Sequence, residues 1–510
     1  MNDVTDRQDE VLAFLAEPAT HSGHAVKRID THAASVFLAG DRVLKIKRAV
    51  RFPFLDYSTL DKRKAACEAE LAVNAPYAPE IYRRVVAITR QANGALAIGG
   101  DGPPVEWAVE MQRFDEQRTL DHLAGEIDDA LADSLGHAVA AAHARAQPVE
   151  PKPWIAALGS YIDDHATAFR ERSQVFPRIE VDALACDTRA AYDRIVPLLQ
   201  ERGRRGLIRR IHGDLHLGNI ALIHGKPVLF DAIEFSDIIA SGDVLYDLAF
   251  LLMDLLERRL AVAANIVFNR YLNESRRTED LDGLAALPLF LTIRACIRAM
   301  VTAARMDRAA AADRPAIAKS AQAYFDFAKW AIAPAQRAFV AVGGLSGTGK
   351  TRLARMLAPG IGPMPGAVIV RSDVERKALF GIGETERLPE QAYTAAVNAR
   401  IYAMLADKAR RIVAAGHGVI ADAVFAQPVE RAELAAAAKA TGVPLHGLFL
   451  TANLQARLAR VGARRSDASD ATADVARAQE NYDLGSLDWR LIDASGTPEE
   501  TAATARAALD

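Results

Sequence analysis

Two stretches of the chain concentrate the residue types that phosphate chemistry requires. The first is Gly344-Leu345-Ser346-Gly347-Thr348-Gly349-Lys350-Thr351. Glycines let backbone N–H groups converge on phosphate oxygens, and a helix starting just after them adds the positive end of its dipole. A lysine at the end of such a loop reaches the β- and γ-phosphates, and the next hydroxyl ligates Mg²⁺. Gly344, Ser346, Gly347, Thr348, Gly349, Lys350 and Thr351 are therefore the candidate ATP cradle. Lys350 is also catalytic through charge stabilisation, and Thr351 is a candidate metal ligand. Downstream, Asp373 follows AVIVRS and Asp422 ends GVIAD. Both fall at C-terminal strand ends, the edge of a parallel sheet where ligands bind. Asp373 is the candidate for orienting or deprotonating a hydroxyl, and Asp422 for holding the Mg²⁺ shell. A helix cap is the competing role for Asp373, because VER begins a helix there. Arg457, Arg460, Arg464 and Arg465 straddle a helix end and the polar segment SDASDATAD, with Arg460 and Arg464 the candidate nucleotide contacts. A lid over the transferring phosphoryl has this composition, and so does a solvated helix face.

The second stretch is IHGDLHLGNIALIHGKPVLFDAIEF, with His212, Asp214, His216, Asn219 and Asp231 as its reactive residues. Phosphoryl transfer outside the P-loop class needs a carboxylate to accept the hydroxyl proton. It also needs an amide and a second carboxylate for Mg²⁺, and a lysine for the phosphates. His-x-Asp-x4-Asn, followed after the strand PVLF by an Asp, has the order of the protein-kinase catalytic and metal loops. Asp214 is then the catalytic base, Asn219 and Asp231 are metal ligands, and His212 braces the loop. His216 stands where protein kinases place a phosphate-contacting lysine. HxDxH alone could also suggest zinc, but the further ligand cluster a zinc hydrolase needs does not follow.

The elements that must position these residues divide the chain. SVFLAG and RVLKIKR read as two strands around Gly40-Asp41, followed by a helix over about Thr59–Asn74. Strands are expected near Ile81–Arg90 and Trp107–Arg113, and mainly helix from Leu120 to Arg202. Gly206–Asp237 reads as strand and loop, and helical periodicity runs from about Ser241 to Trp330. After Ala333-Pro334-Ala335, strands alternate with helices: Phe339–Gly343, Ala367–Arg371, Gly418–Asp422, Leu445–Leu450 and Trp489–Ile492. Such alternation predicts a parallel sheet covered by helices on both faces. The expected domains are residues 1–335, α+β, and 336–510, an α/β P-loop fold.

With 510 residues the chain exceeds one hydrophobic core. A formal charge of −3 provides no basic field for nucleic acid, so binding through bulk electrostatics is disfavoured. Cys67, Cys186 and Cys296 are odd in number and scattered, which suggests neither disulfides nor zinc. The N-terminus is polar and acidic, and the apolar stretch Val244–Leu256 is broken by two aspartates. A cytoplasmic protein with no membrane partner is expected, and nothing in the composition fixes an oligomeric state.

HGDLHLGN with the following FDAIEF resembles the aminoglycoside phosphotransferase family, which also includes choline, homoserine and fructosamine kinases. This resemblance spans about Ala25 to Trp330 and implies a protein-kinase-like fold, with an N-lobe over about 25–113 and a helical C-lobe over about 114–335. It also implies a nucleotide lysine on RVLKIKR, at Lys45 with Lys47 as rival on the same strand face. Glu70 is the implied ion-pair partner, ahead of Glu68, and the adenine hinge falls near Glu110-Met111-Gln112-Arg113, with Met111 as the candidate contact. The chain departs from the kinase pattern in having only Ala33-Ala34-Ser35 where a glycine-rich phosphate loop would lie. Asp243 and Asp247 match a stretch that braces the catalytic loop in the family. VIVRSDVERKALFG, GVIADAVF and the arginine–acidic segment resemble small-molecule P-loop kinases related to gluconate kinase and zeta-toxin-type kinases. Together these imply a bifunctional ATP- and Mg²⁺-dependent phosphotransferase with hydroxyl-bearing small molecules as substrates. A catalytically silent N-terminal ligand-binding module beside one active P-loop kinase is the alternative, and a nucleic-acid end kinase is a third reading.

Overall fold

The computed structural model describes residues 8–52, 55–462 and 468–509. Helix α1 (Asp9–Ala16) precedes strands β1 (Val26–Asp30), β2 (Ala34–Ala39) and β3 (Arg42–Lys47). A short pair, β4 (Arg51–Phe52) and β5 (Leu55–Asp56), leads to α2 (Leu60–Asn74), then β6 (Tyr82–Arg90), β7 (Leu96–Ile98) and β8 (Pro104–Gln112). Six of these strands form one antiparallel sheet in the order β1-β2-β3-β8-β6-β7. Gly40, at φ +59°, makes the β2–β3 turn and sets the register that pairs Val36 with Lys45.

Helix α2 brings charge into the interior beneath this sheet. Thr59 caps its start, accepting from Lys62 N at 3.4 Å, and its buried residues are Arg63, Cys67, Glu70 and Asn74. That spacing is one helical face turned to the sheet. Two of its four members are charged, so each must find a partner or carry a heavy desolvation penalty. Arg63 meets the buried Glu106 at 2.9 Å.

Helices α3 (Asp129–Arg145), α4 (Pro151–Arg170) and α5 (Arg178–Arg204) come next. Two small antiparallel ribbons then carry the histidine–aspartate loop: β9 (Ile208–Arg210) with β12 (Ser241–Asp243), and β10 (Ile220–Ile223) with β11 (Lys226–Leu229). After α6 (Val244–Glu257) come α7 (Ala261–Ser275), α8 (Thr278–Asp282), α9 (Leu287–Ala304) and α10 (Arg314–Ile332). Thr278–Asp307 is the described stretch long and apolar enough to cross a membrane, and 67% of its most apolar window is buried, as in a core helix.

The parallel sheet contains β13 (Phe339–Gly344), β14 (Val368–Arg371), β15 (Val419–Asp422), β16 (Leu445–Thr451) and β17 (Arg490–Asp493), ordered β14-β15-β13-β16-β17. Around it lie α11 (Lys350–Leu357), α12 (Ser372–Phe380), α13 (Ala395–Ala414), α14 (Pro428–Thr441), α15 (Leu454–Gly462), α16 (Ala473–Ala478) and α17 (Pro498–Ala507). Strands β13 and β15 are buried on both faces, and Val340, Val342, Leu353, Leu357, Ile420 and Leu450 belong to the core around them.

Packing gathers the chain into two compact units: Met1–Asp164 with Val196–Asp254, and His165–Ile195 with Leu255–Asp510. The expected division at 335/336 marks where strand–helix alternation begins, whereas packing groups α7 to α10 with the parallel sheet. Buried Cys67 and Cys296 have their thiols pushed up to about 12 by desolvation, so both are inert apolar fillers.

Candidate active sites

In the first unit, Glu70 finds two cations at once. Lys45 Nζ lies 2.8 Å from Glu70 Oε1, and Lys47 Nζ lies 2.6 Å from Glu70 Oε2. Lys45 also reaches Asp231 Oδ1 at 2.9 Å, and Lys47 pairs with Glu234. The two lysines that strand alternation leaves as rivals thus share one carboxylate and differ in the second. Burial alone would push the Glu70 carboxyl up, but the two lysines hold it at about 2. Burial likewise opposes the charge on Lys45, and Asp231 and Glu70 outweigh it, raising that amine well above its ordinary value. Glu68, by contrast, is exposed and lies 3.7 Å from Lys64.

Asp231 has φ +60°, a left-handed conformation that non-glycine residues seldom adopt, and its N–H donates to the Tyr82 hydroxyl at 3.2 Å. The strained turn directs the carboxylate toward Lys45. On the neighbouring loop, Asn219 Nδ2 donates to Asp214 Oδ2 at 3.0 Å and to the Asp214 carbonyl at 2.9 Å. His216 Nδ1 accepts from Gly218 N at 3.1 Å, so Nε2 carries the proton, 3.5 Å from Asp214 Oδ2. The structure thus places His216 against the candidate base. Buried His212 has its proton affinity lowered by desolvation, and its Nε2 faces the Phe230 carbonyl at 3.0 Å.

Helix α6 holds this loop. Asp247 accepts from the N–H groups of His212 and Gly213, both at 3.0 Å, and meets His143 Nε2 at 3.2 Å. Two turns on, Asp254 accepts from Leu217 N at 2.9 Å. Asp243 binds Arg202 through two contacts of 2.6 and 2.7 Å. Sequence reasoning misses Asp254, although its spacing of seven from Asp247 on one helix is the signal that could have found it. Met111 is buried among Val43, Tyr82 and Val109. The N–H groups of Gln112 and Arg113, two of the four expected hinge residues, are bonded to Ile81 and Asp41, each at 2.7 Å. Where a glycine flap would lie, Thr31–Ala34 forms a tight turn in which Thr31 N donates to the Ala34 carbonyl at 2.8 Å.

In the second unit the P-loop turns from β13 into α11. Gly347 has φ +88°, and a Cβ there would lie 2.6 Å from the Arg457 carbonyl, so only glycine fits. Thr351 Oγ1 donates to Asp422 Oδ2 at 2.6 Å, and Lys350 Nζ bends back to the Leu345 carbonyl at 3.3 Å. Arg371 Nε is 3.4 Å from the same Asp422 oxygen. Asp373 lies in the first turn of α12, where no side chain caps the helix start, and its carboxylate bonds Ser469. Desolvation, with Asp422 nearby, pushes its carboxyl up. Gly347, Lys350, Thr351, Asp373 and Asp422 line one cavity of about 1160 Å³ with Arg376, Tyr393 and Arg460.

The arginines expected in a lid separate. Arg457 is buried; its Nε donates to the Ser346 carbonyl at 2.9 Å, and it also pairs with Glu480. Gln479 Oε1 completes the brace by accepting from Ser346 N at 2.7 Å, a contact the sequence does not suggest. Arg457 therefore supports the loop from behind, which corrects its reading as part of a lid. Arg460 lies at the cavity and donates to the Ala494 carbonyl at 2.8 Å. Arg464 and Arg465 lie outside the described residues.

Among the described residues no three His, Cys, Asp or Glu side chains form a closed metal cage. Each site instead offers two hard oxygen donors in a site that also holds a lysine: Asn219 and Asp231 with Lys45, or Thr351 and Asp422 with Lys350. This fits Mg²⁺, which keeps several waters and takes phosphate oxygens as ligands.

A protein-kinase-like α+β region and a P-loop α/β region, each with such a site, define a nucleotide-binding phosphotransferase of the kinase class. Residues 34–287 match the phosphotransferase enzyme family and residues 339–482 match an AAA domain family. The chain thus joins a region matched by the phosphotransferase enzyme family to one matched by an AAA domain family. It is similar to uncharacterised proteins of Mycobacterium tuberculosis and Mycobacterium bovis, 28% identical over 497 residues, covering 93% of this chain and 94% of the relative. Among solved structures it resembles a choline/ethanolamine kinase family protein from Mesorhizobium loti, at 17% identity and TM-score 0.38, over 64% of this chain and 98% of that one. It also resembles a gluconokinase from Sinorhizobium meliloti 1021, at 18% identity and TM-score 0.26, over 34% of this chain and 93% of that one.

Proposed function

We propose that each half transfers the γ-phosphate of ATP to a hydroxyl of a small cytoplasmic metabolite. The observation that carries this reading is Lys45 bridging Glu70 and Asp231. It joins residues from three distant parts of the chain into the group that holds phosphates in protein kinases.

At the first site Asp214 accepts the acceptor hydroxyl proton as the new O–P bond forms and the bond to the β-phosphate oxygen breaks. Asn219 orients that carboxylate, and Lys45 holds the phosphates. At the second site Asp373 takes the corresponding proton, while Lys350 and the backbone N–H groups of Gly347 to Thr351 stabilise charge on the phosphoryl oxygens. When bound, Mg²⁺ neutralises charge on the β- and γ-phosphates, with Asn219 and Asp231 as its protein ligands at one site and Thr351, backed by Asp422, at the other. The raised proton affinity of Asp373 suits a base that must capture a hydroxyl proton.

The test is a metabolite-pool screen for ATP-dependent gain of one phosphate, run on the parent, Asp214→Ala and Lys350→Ala, with 5′-hydroxyl oligonucleotides included. Two products, each lost in one variant, are expected. If Asp214→Ala leaves every kinase activity intact, the first site is a silent module. Labelled oligonucleotides in place of metabolites would overturn the small-molecule assignment.

A further inference from the structure

Strand β14 is the outermost strand of the parallel sheet, paired on its inner side with β15. Its outer N–H and C=O groups need partners from elsewhere, as those of any edge strand do. Helix α7 supplies them with two asparagines one turn apart. Asn269 Oδ1 accepts from Ile369 N at 2.7 Å, and its Nδ2 donates to the Ala367 carbonyl at 3.1 Å. Asn265, itself buried, donates through Nδ2 to the carbonyls of Ala367 and Pro365, both at 3.1 Å. One amide offering a donor and an acceptor at adjacent positions replaces the bonds of a missing sixth strand.

The approach is built in. Gly366 has φ +101°, and a Cβ there would lie 2.3 Å from the Ala358 carbonyl and 2.9 Å from Asn265 Nδ2. Buried His417 faces the Gly366 carbonyl at 2.9 Å and packs its ring edge against Phe268 of α7. Ion pairs flank the contact: Arg270 with Glu384 at 3.0 Å, and Arg411 with Asp282 of α8 at 2.9 Å.

Strand β14 runs directly into the second site. Its last residue, Arg371, approaches Asp422, and Asp373 follows two positions later. We infer that Asn265 and Asn269 are positioning residues for the P-loop reaction, clamping the strand that leads into Asp373 and sets Arg371 beside Asp422, the partner of Thr351. Helix α7 lies within the stretch matched by the phosphotransferase family, so the P-loop site is built from both family regions. The mycobacterial relatives likewise align across both halves.

This inference rests on the reading of Asp373 as a base of the second site. It is tested in the full chain carrying Asp214→Ala, with ATP turnover onto water as the probe and Lys350→Ala as the zero. Asn269→Ala is expected to lower kcat about tenfold and leave KM for ATP within about twofold, because the phosphate cradle itself is untouched. Asn269→Asp keeps the acceptor for Ile369 and loses the donor, so its kcat falls between; it decides the matter if the alanine variant does not fold. Hydrogen exchange of peptides covering residues 367–371 should quicken in both variants. Unchanged kcat in both, or a KM rise that accounts for the whole loss, overturns the inference. If no turnover sensitive to Lys350→Ala is present at all, the reading of the second site as catalytic fails instead. Unchanged exchange at Ile369 then still overturns the clamp.

Discussion

Replacing Glu70 by Gln removes one negative charge from a buried cluster in which two lysines depend on it. The carboxylate is fully buried, with Lys45 at 2.8 Å and Lys47 at 2.6 Å. Those cations hold its carboxyl at about 2 rather than the ordinary 4.5. At about 1.4 kcal/mol per pH unit this amounts to about 3 kcal/mol of stability at neutral pH. A depressed carboxylate contributes fully above its unfolded value and loses its contribution as pH falls through the folded one. The difference between parent and Glu70→Gln should therefore be full above about pH 4.5 and vanish toward about pH 2. The neutral amide also leaves each lysine with one carboxylate, Asp231 or Glu234, so Lys45 should drift from the position in which we propose it holds phosphate. Urea unfolding, followed by hydrogen exchange in peptides covering β3 and α2, measures the loss locally. Glu68→Gln is the control on the same helix, and its exposed side chain predicts no measurable change. If Glu70→Gln costs less than about 1 kcal/mol, or no more than Glu68→Gln, the shared-carboxylate argument is wrong.

Asp247→Ala strips the acceptor from His212 N and Gly213 N, so it should cost about 3 kcal/mol and lower first-site turnover at least tenfold, read by thermal melting beside kinetics. Gly347→Ala puts a methyl against the Arg457 carbonyl, and calorimetry should show ATP binding lost at the second site while the Asp214 site still binds. Because burial raises the Asp373 carboxyl, the acid limb of the second-site pH–rate profile should lie above the ordinary carboxylate range and disappear in Asp373→Asn. The same shift has a stability sign: a raised carboxyl favours folding while protonated and loses that contribution as pH rises through its folded value. Asp373→Asn should accordingly melt higher than the parent at neutral pH while turning over more slowly.

The parallel sheet is legible in the sequence because its central strands are short apolar runs bounded by turn residues, and β13 to β17 start within one residue of the expected spans. Strand β1 is not, since VKRID is largely exposed and carries no alternation, and three-residue β7 is too short to show any. Alternation on β3 places Lys45 and Lys47 on one face but says nothing about how far each side chain reaches. Only the fold shows that Glu70 spans both. The arginines of α15 look alike in sequence, yet Arg457 is buried behind the P-loop and Arg460 lies at the cavity, a difference of depth set by packing. Asn265 and Asn269 read as ordinary polar positions of a helix. Their partners are backbone atoms about a hundred residues away, and backbone partners leave no trace in side-chain pattern.

On the proposed function the two sites meet one requirement, fixed positive charge around a phosphate, by opposite means. The P-loop takes its charge from backbone N–H groups and a helix end that are local in sequence, so a short motif announces it. The first site assembles side chains from β3, α2 and the loop after β11 and must keep them charged inside the protein. Removing one partner there leaves the remaining buried ions with fewer countercharges. Damage at the P-loop should therefore follow local geometry, as at Gly347. Damage at the first site should follow the charge balance of residues far apart in sequence. The Asn265–Asn269 clamp qualifies the contrast: the loop itself is local, but the strand leading to the proposed base is held by a helix from the other family region. Substitutions on α7 should accordingly alter second-site turnover without touching a nucleotide.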